Sequence, residues 1–263
     1  MQVQFLGSGS MMPSKGNFHS NILITSENNH RLLIDCGSDI RHSLAKRGLS
    51  FDDIDAVYIS HLHDDHAGGL EQLGFYSYFV RSSKPQLIIH DDICDKLWSE
   101  KLAISMEQLT DKMGHLSNFF TVKRVNQAFK WEKVQFNVIP SIHVVNKVVG
   151  HMYSYGLRFR TKSEYNKNVY FTSDITFINK KIDKEDWDLD AHWQNYEKAN
   201  IIFHDCDDSN QAEVHPHYDF LKEFPESIKS KMWLYHCKQH NFHQQAKDDG
   251  FAGVVKPGQA FQC

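Results

Sequence analysis

The apolar positions of this chain fall into short, often β-branched runs separated by polar and turn-forming residues. They read "VQFLG", "NILIT", "RLLIDCG", "AVYISH", "QLIIHD", "VQFNVIPSIH", "YGLRFR", "NVYFTSD", "NIIFHDC" and "MWLYHC", and runs of this length and make-up predict strands. Helical stretches lie between some of them. "SDIRHSLAKRG" offers Ser38 as an N-cap and Gly48 as a stop. "HDDICDKLWSEKL" predicts a second helix, and "HPHYDFLKEF" a third with Pro216 in its first turn. Strands mixed with helices along one chain mean a layered α/β architecture. No repeat, linker or shift of composition divides it, so residues 1–263 read as a single domain.

The ends of the runs carry a second pattern. Successive runs finish on His61, His90, His143, Asp174, His204 with Asp205, and His236. Polar residues often end strands, which covers one or two such cases but not six. If the runs are buried strands, their ends can converge on one rim, where open α/β folds place ligand sites.

The densest cluster is "YISHLHDDHAGGL", Tyr58 to Leu70. His61 and His63, one residue apart on an extended turn, can face one metal ion. Asp65 and His66, on the curl that follows, can face a second. Imidazole nitrogen and carboxylate oxygen suit zinc, and also manganese or iron. So short a loop cannot fill two coordination spheres, and His143, Asp174 and His236 are the candidates to complete them. His90 and His204 obey the same rule of position. A carboxylate such as Asp174 can bridge two ions ~3.5–4 Å apart, the spacing of two-metal hydrolytic sites.

Charge and cysteine content narrow the partners. Lys plus Arg is 29 and Asp plus Glu is 33, a net −4 that disfavours a surface built to coat long nucleic acid. Five cysteines without a C-x-x-C pair fit a reducing, cytoplasmic setting. No signal peptide is visible at the start, and no apolar run approaches the ~20 residues of a membrane span.

The order of these motifs resembles the metallo-β-lactamase fold, and within it the ribonuclease Z-like phosphodiesterases. "FLGSGSMMPSKGNFHSNILI", "LLIDCG", "YISHLHDDHAGGL", "SIHVV", "YFTSDITF" and "WLYHC" carry the likeness over nearly the whole chain. The resemblance implies a four-layer αββα sandwich and two divalent ions, zinc first and manganese as the alternative. It implies His61, His63 and His143 on one ion, Asp65, His66 and His236 on the other, and Asp174 between them. His90 and His204 match no ligand of the family. It further implies a histidine at the start of the helix before the last metal-binding strand, acting on the leaving oxygen. His215, placed before Pro216 as an N-cap would be, is the first choice and His217 the second; a capping or surface histidine is the plainer alternative. Asp65 counts with this catalytic group as well as among the ligands.

Two departures bear on substrate. Only 31 positions separate His143 from Asp174, too few for the protruding arm of enzymes that process transfer RNA. "HDCDD" replaces the family's His-Glu-Ala-Thr box and adds negative charge where RNA would approach. Armless chains of this size resemble the anti-Pycsar proteins of bacteria and phages, which are homodimers degrading cyclic mononucleotide immune signals in the cytoplasm. The expected activity is hydrolysis of cyclic UMP, CMP, AMP and GMP to linear monophosphates. Transfer RNA 3′ processing, lactone hydrolysis and simple nucleotide sequestration are the competing readings. Base recognition is expected from aromatic stacking, with "GFYSYF", Gly74 to Phe79, as the candidate and a packed helix face as its plainer alternative.

Overall fold

The computed structural model describes residues 1–81, 83–161, 164–177, 187–209, 214–238 and 242–263, with the side chains of the helix Trp187–Lys198 described from His192 onward. Among these residues the strands are β1 (Gln2–Phe5), β2 (Ile22–Thr25), β3 (Arg31–Ile34), β4 (Ala56–Ile59), β5 (Gln86–His90), β6 (Thr121–Val125) and β7 (Ala128–Trp131). They continue as β8 (Val134–Val144), β9 (Met152–Arg160), β10 (Asn168–Phe171), β11 (Ile201–Asp205), β12 (Met232–Tyr235), β13 (Gly253–Val254) and β14 (Ala260–Gln262). Two seven-stranded sheets result, ordered β14-β1-β2-β3-β4-β5-β6 and β13-β12-β11-β10-β9-β8-β7.

The two sheets are built alike. In the first, pairing is antiparallel from β14 to β3 and parallel from β3 to β6. In the second it is antiparallel from β7 to β10 and parallel from β10 to β13. The parallel strands are the continuous apolar runs of the sequence, because both their faces are covered. β4, Ala-Val-Tyr-Ile, is buried at every position.

Alternation along each strand sorts side chains into layers. Ile22, Ile24, Leu32, Ile34, Phe203 and Tyr235 point between the sheets into one shared core. Their neighbours Leu23 and Leu33 point the other way, joining Leu44, Leu70 and Leu73 of the helices Ile40–Ala45 and Leu70–Tyr76. Ile202 and Leu234 likewise meet Tyr196 and Leu221 on the outside of the second sheet. The layers therefore run helix, sheet, sheet, helix. At the centre Phe5 lies with its ring centroid 4.9 Å from Phe203 and 5.6 Å from Tyr235, contacts that tie the sheets face to face.

Two expectations about helix starts need correction. The first helix begins at Ile40, and its cap lies one position beyond the expected Ser38: Asp39 holds the N-cap position without a capping bond, and its carboxylate instead accepts from the His19 backbone N–H at 2.9 Å. Gly48 does close the turn, at φ +68°. In the third helix, Tyr218–Lys222, the cap is His217 and not His215; the His217 ring accepts from the Asp219 backbone N–H at 3.2 Å. One helix N-terminus accommodates one cap, so His215 is left to do something else.

Candidate metal centre

Asp35, His61, Asp174, Asp205 and His236 stand at or just beyond the C-terminal ends of β3, β4, β10, β11 and β12. These strands run parallel to neighbours within their sheets, so their ends open on one rim. His143 comes from β8, where the register shifts between Ile142 and Val144, a bulge that re-aims a side chain. His63 precedes the short helix Asp64–Ala67, which presents Asp65 and His66 from its interior face. Gly37 lets that turn come close: a Cβ there would lie 2.3 Å from the Asp65 carbonyl oxygen. Asp35, Ser173 and His236 adopt φ of 61°, 56° and 64°, backbone strain concentrated at the rim.

Asp174 Oδ2 is the hub. Ring nitrogens of His66, His143, His236, His61 and His215 lie 3.3, 3.5, 3.6, 3.7 and 3.9 Å from it. His63 Nδ1 sits 3.2 Å from His61 Nε2 and 3.0 Å from His143 Nε2. Asp65 Oδ2 is 3.1 Å from His236 Nε2 and 3.3 Å from His66 Nε2. Two groups emerge, His61–His63–His143–Asp174 and Asp65–His66–His236, with donor atoms in each within 4.8 Å of one another; His215 can join Asp174 and His236 in a third.

Outer hydrogen bonds turn the rings inward. His66 Nδ1–H donates to Asp35 Oδ2 at 2.8 Å, and the same carboxylate accepts from the Ser60 backbone N–H and hydroxyl, both at 2.8 Å. Ser60 Oγ in turn lies 3.1 Å from His61 Nδ1. His143 Nδ1–H donates to the Val214 carbonyl at 3.2 Å, leaving Nε2 for the cluster. His215 Nδ1–H donates to Asp205 Oδ2 at 2.9 Å.

Burial depresses the basicity of His61 and His63, and pushes His143 down to about 4. These three rings are therefore neutral, the form that ligates. Burial would raise the carboxyls of Asp65 and Asp174, but His66 and His236 outweigh it and hold both in the ionised form. Asp65 Oδ1, His66 Nε2 and Asp174 Oδ1 are buried with no hydrogen-bond partner. Unpaired buried donors and acceptors of this kind are costly. A divalent cation relieves that cost with the nitrogen and oxygen ligands it prefers, so the residues present fit the group that the motif implies.

The cluster forms the polar part of a cavity of about 350 Å³, whose remaining lining includes Ser10, Met11, Met12, Asp207, Ser209 and Lys238. The other sequence candidates lie elsewhere. His217 is occupied as a helix cap. His90 stacks on Tyr155 at 3.8 Å and 11° and caps the helix Asp91–Lys96, while His204 is buried with Nε2 at 2.9 Å from the Tyr196 hydroxyl. The expectation for "GFYSYF" is overturned: Phe75, Tyr76 and Phe79 line a separate groove with Phe51, because helical spacing turns them onto the outer helix layer. Asp35 and Asp205 went unassigned in the sequence, although both close strand motifs there.

A model of the family described as "Anti-Pycsar protein Apyc1" matches residues 1–261. This chain belongs to the anti-Pycsar Apyc1 family. The Apyc1 protein of Paenibacillus harenae is 29% identical over 265 residues, covering 100% of both chains. That of Bacillus phage BSP38 is 28% identical over 246 residues, covering 89% of this chain and 88% of the relative. Among solved structures, the metallo-β-lactamase fold protein YhfI of Bacillus subtilis superposes with a TM-score of 0.71 at 17% identity, covering 99% of this chain and 98% of that one. The four layers are therefore those of the metallo-β-lactamase fold. Apyc1 family membership and the donor set together describe a metal-dependent hydrolase of phosphodiester bonds.

Proposed function

We propose that the protein hydrolyses small 3′,5′-cyclic nucleotides to linear monophosphates, removing a cyclic-nucleotide immune signal, a reading supported by its relatives' name, anti-Pycsar protein. The observation that carries this reading is the cavity: a ligand cluster at the base of a space of about 350 Å³, near the lower end of the ~300–1,000 Å³ typical of small-molecule sites. Between His143 and Asp174 the described chain is β9, β10 and their short connections, which supports a substrate held in the cavity rather than one gripped by an arm. Two acidic side chains, Asp207 and Asp208, flank the rim beside Lys238, an unfavourable approach for polyanionic RNA.

His61, His63 and His143 would hold one divalent ion and Asp65, His66 and His236 the other, with Asp174 shared; zinc suits these donors best, and manganese is the alternative. When bound, such ions neutralise phosphate charge and supply a nucleophilic water near neutral pH. The chain's own residues do the rest. Asp65, a ligand through one carboxylate oxygen, would keep the other at the cavity lining as a proton acceptor. His215, fixed through Nδ1 by Asp205, keeps its other ring nitrogen for the departing sugar oxygen, a role worth ~10²–10⁴-fold in rate. Lys238 contributes a cation to the lining for the phosphate. The active form is proposed to be a cytoplasmic homodimer.

The decisive experiment incubates zinc- or manganese-loaded protein with cyclic UMP, CMP, AMP and GMP, and separately with precursor transfer RNA, and separates the products by chromatography. Metal-dependent linear monophosphates with intact RNA support the reading. Cleavage of RNA with intact cyclic nucleotides replaces it with a processing nuclease.

A further inference from the structure

We propose that Met11 and Met12 form the surface on which the nucleobase rests, and thereby set the enzyme's tolerance among bases. The inference rests on the cyclic-nucleotide reading of the same cavity. A nucleotide has a charged end and a flat apolar end, and the cavity's lining likewise holds both charged and apolar side chains. Among the described residues that line it, Met11, Met12 and Val214 are the apolar ones and no Phe, Tyr or Trp is present; the others are ligand-type, hydroxyl or charged side chains, the four histidine rings among them being held by the metal cluster or by Asp205. The faces of a base therefore have these thioethers to lie against. Both are left open to solvent in the free protein, Met11 at 40% and Met12 at 75% exposure, an exposure that a core role does not explain.

The segment carrying them is braced. The Gly9 backbone N–H donates to the Phe18 carbonyl at 2.9 Å, and the Ser20 hydroxyl donates to the Gly9 carbonyl at 2.9 Å. The Ser8 backbone N–H donates to Asn17 Oδ1 at 3.1 Å, and His19 Nε2–H donates to the Met11 carbonyl at 3.2 Å. The backbone is thus fixed while the two side chains keep their rotatable bonds. Methionine sulfur makes favourable contacts with aromatic faces, and its flexible stem adapts to rings of different outline. A surface of this kind holds a pyrimidine or a purine without a hydrogen-bonding code, so the four bases should be accepted within a narrow range of efficiency.

The test measures kcat and KM of the metal-loaded protein and of its Met11→Ala, Met12→Ala and Met12→Leu variants. Substrates are the four cyclic nucleotides and ribose 3′,5′-cyclic phosphate, which has no base. Each alanine variant is expected to raise KM for all four nucleotides by about two- to tenfold, the size of one lost sulfur–aromatic contact. Hydrolysis of the baseless compound and the melting temperature should stay unchanged, and Met12→Leu should recover part of the loss. Binding of the fluorescent 1,N6-etheno analogue of cyclic AMP, followed by anisotropy, should weaken in parallel. Unchanged KM in both alanine variants overturns the inference alone, as does an equal loss on the baseless substrate. If the unsubstituted protein hydrolyses none of the nucleotides, the reading of the cavity falls and takes this inference with it.

Discussion

Replacing Asp35 with Asn separates the orientation of the ligands from the ligands themselves. Asp35 is fully buried and accepts three hydrogen bonds of 2.8 Å, from His66 Nδ1–H, the Ser60 backbone N–H and the Ser60 hydroxyl. Asparagine has nearly the same shape and tolerates the φ of 61° found there. It offers a single acceptor oxygen; with that oxygen kept on the Ser60 backbone N–H, the amide NH2 takes the place of Oδ2 and faces both His66 Nδ1–H and the Ser60 hydroxyl. The hydroxyl can turn to accept, so the His66 bond is the one lost, about 1.5–3 kcal/mol for a bond to a charged partner. Loss of such an outer partner typically lowers metal affinity by ~10–100-fold, or about 1.4–2.7 kcal/mol. The assay is competition for Zn2+ between stripped protein and a chromogenic chelator at neutral pH, with a thermal melt to establish that the fold survives. Ser60→Ala supplies the contrast, since it breaks the link from Asp35 to His61 and leaves His66 held. Asp35→Asn should weaken the ion assigned to Asp65, His66 and His236, and Ser60→Ala the one assigned to His61, His63 and His143. An Asp35→Asn protein that melts normally and binds zinc within about twofold of the parent would refute the orientation argument.

Other outcomes follow from the same geometry. Removal of metal by a chelator should abolish turnover and, by leaving the buried donors unpaired again, lower the melting temperature; adding zinc back should restore both. His215→Ala should keep its metal content in elemental analysis and lose ~10²–10⁴-fold in kcat, whereas His217→Ala should cost only about 0.5–2 kcal/mol of stability in denaturant melts, as the loss of a cap. His192 is buried beside the Tyr170 hydroxyl, and burial pushes it from 6.5 down to about 4. Its folded value lies below its unfolded one, so the stability linked to its neutral form is complete above pH 6.5 and drains away as the pH falls toward 4. At 1.36 kcal/mol per pH unit the total is about 3 kcal/mol, and His192→Gln should flatten that part of a pH series of urea melts.

The sequence carried the sheets where strands are buried on both faces. Ala56–Ile59 and Ile201–Asp205 read as strands because continuous apolar runs have no other use at that length. β6 and β7 were missed because they close the sheets at the edge, where Thr121 and Arg124 are exposed and the run looks polar. β13 and β14 are too short to show a period. In the site, the seven ligand candidates stood out because ligand chemistry allows few residue types at a strand end. Asp35 and Asp205 did not, since an aspartate that only positions a histidine leaves no spacing of its own. The "GFYSYF" expectation failed because aromatic content does not say which side of a sheet a helix covers, and Gly74 packs there against Met106 and Phe120.

The two sheets repeat one plan, and the border between the halves of the chain falls between β6 and β7. Each proposed ion would take ligands from both sides of that border: His61 and His63 with His143, Asp65 and His66 with His236. Metal would then act as a clasp between halves as well as a reagent. A half folded on its own would hold too few ligands to retain an ion. Coordination would become possible only after the sheets meet, and a nascent chain with its second half still unfolded would carry no competent centre. The strand β14 adds a mechanical tie in the opposite sense, since it leaves the second half to pair with β1 in the first sheet.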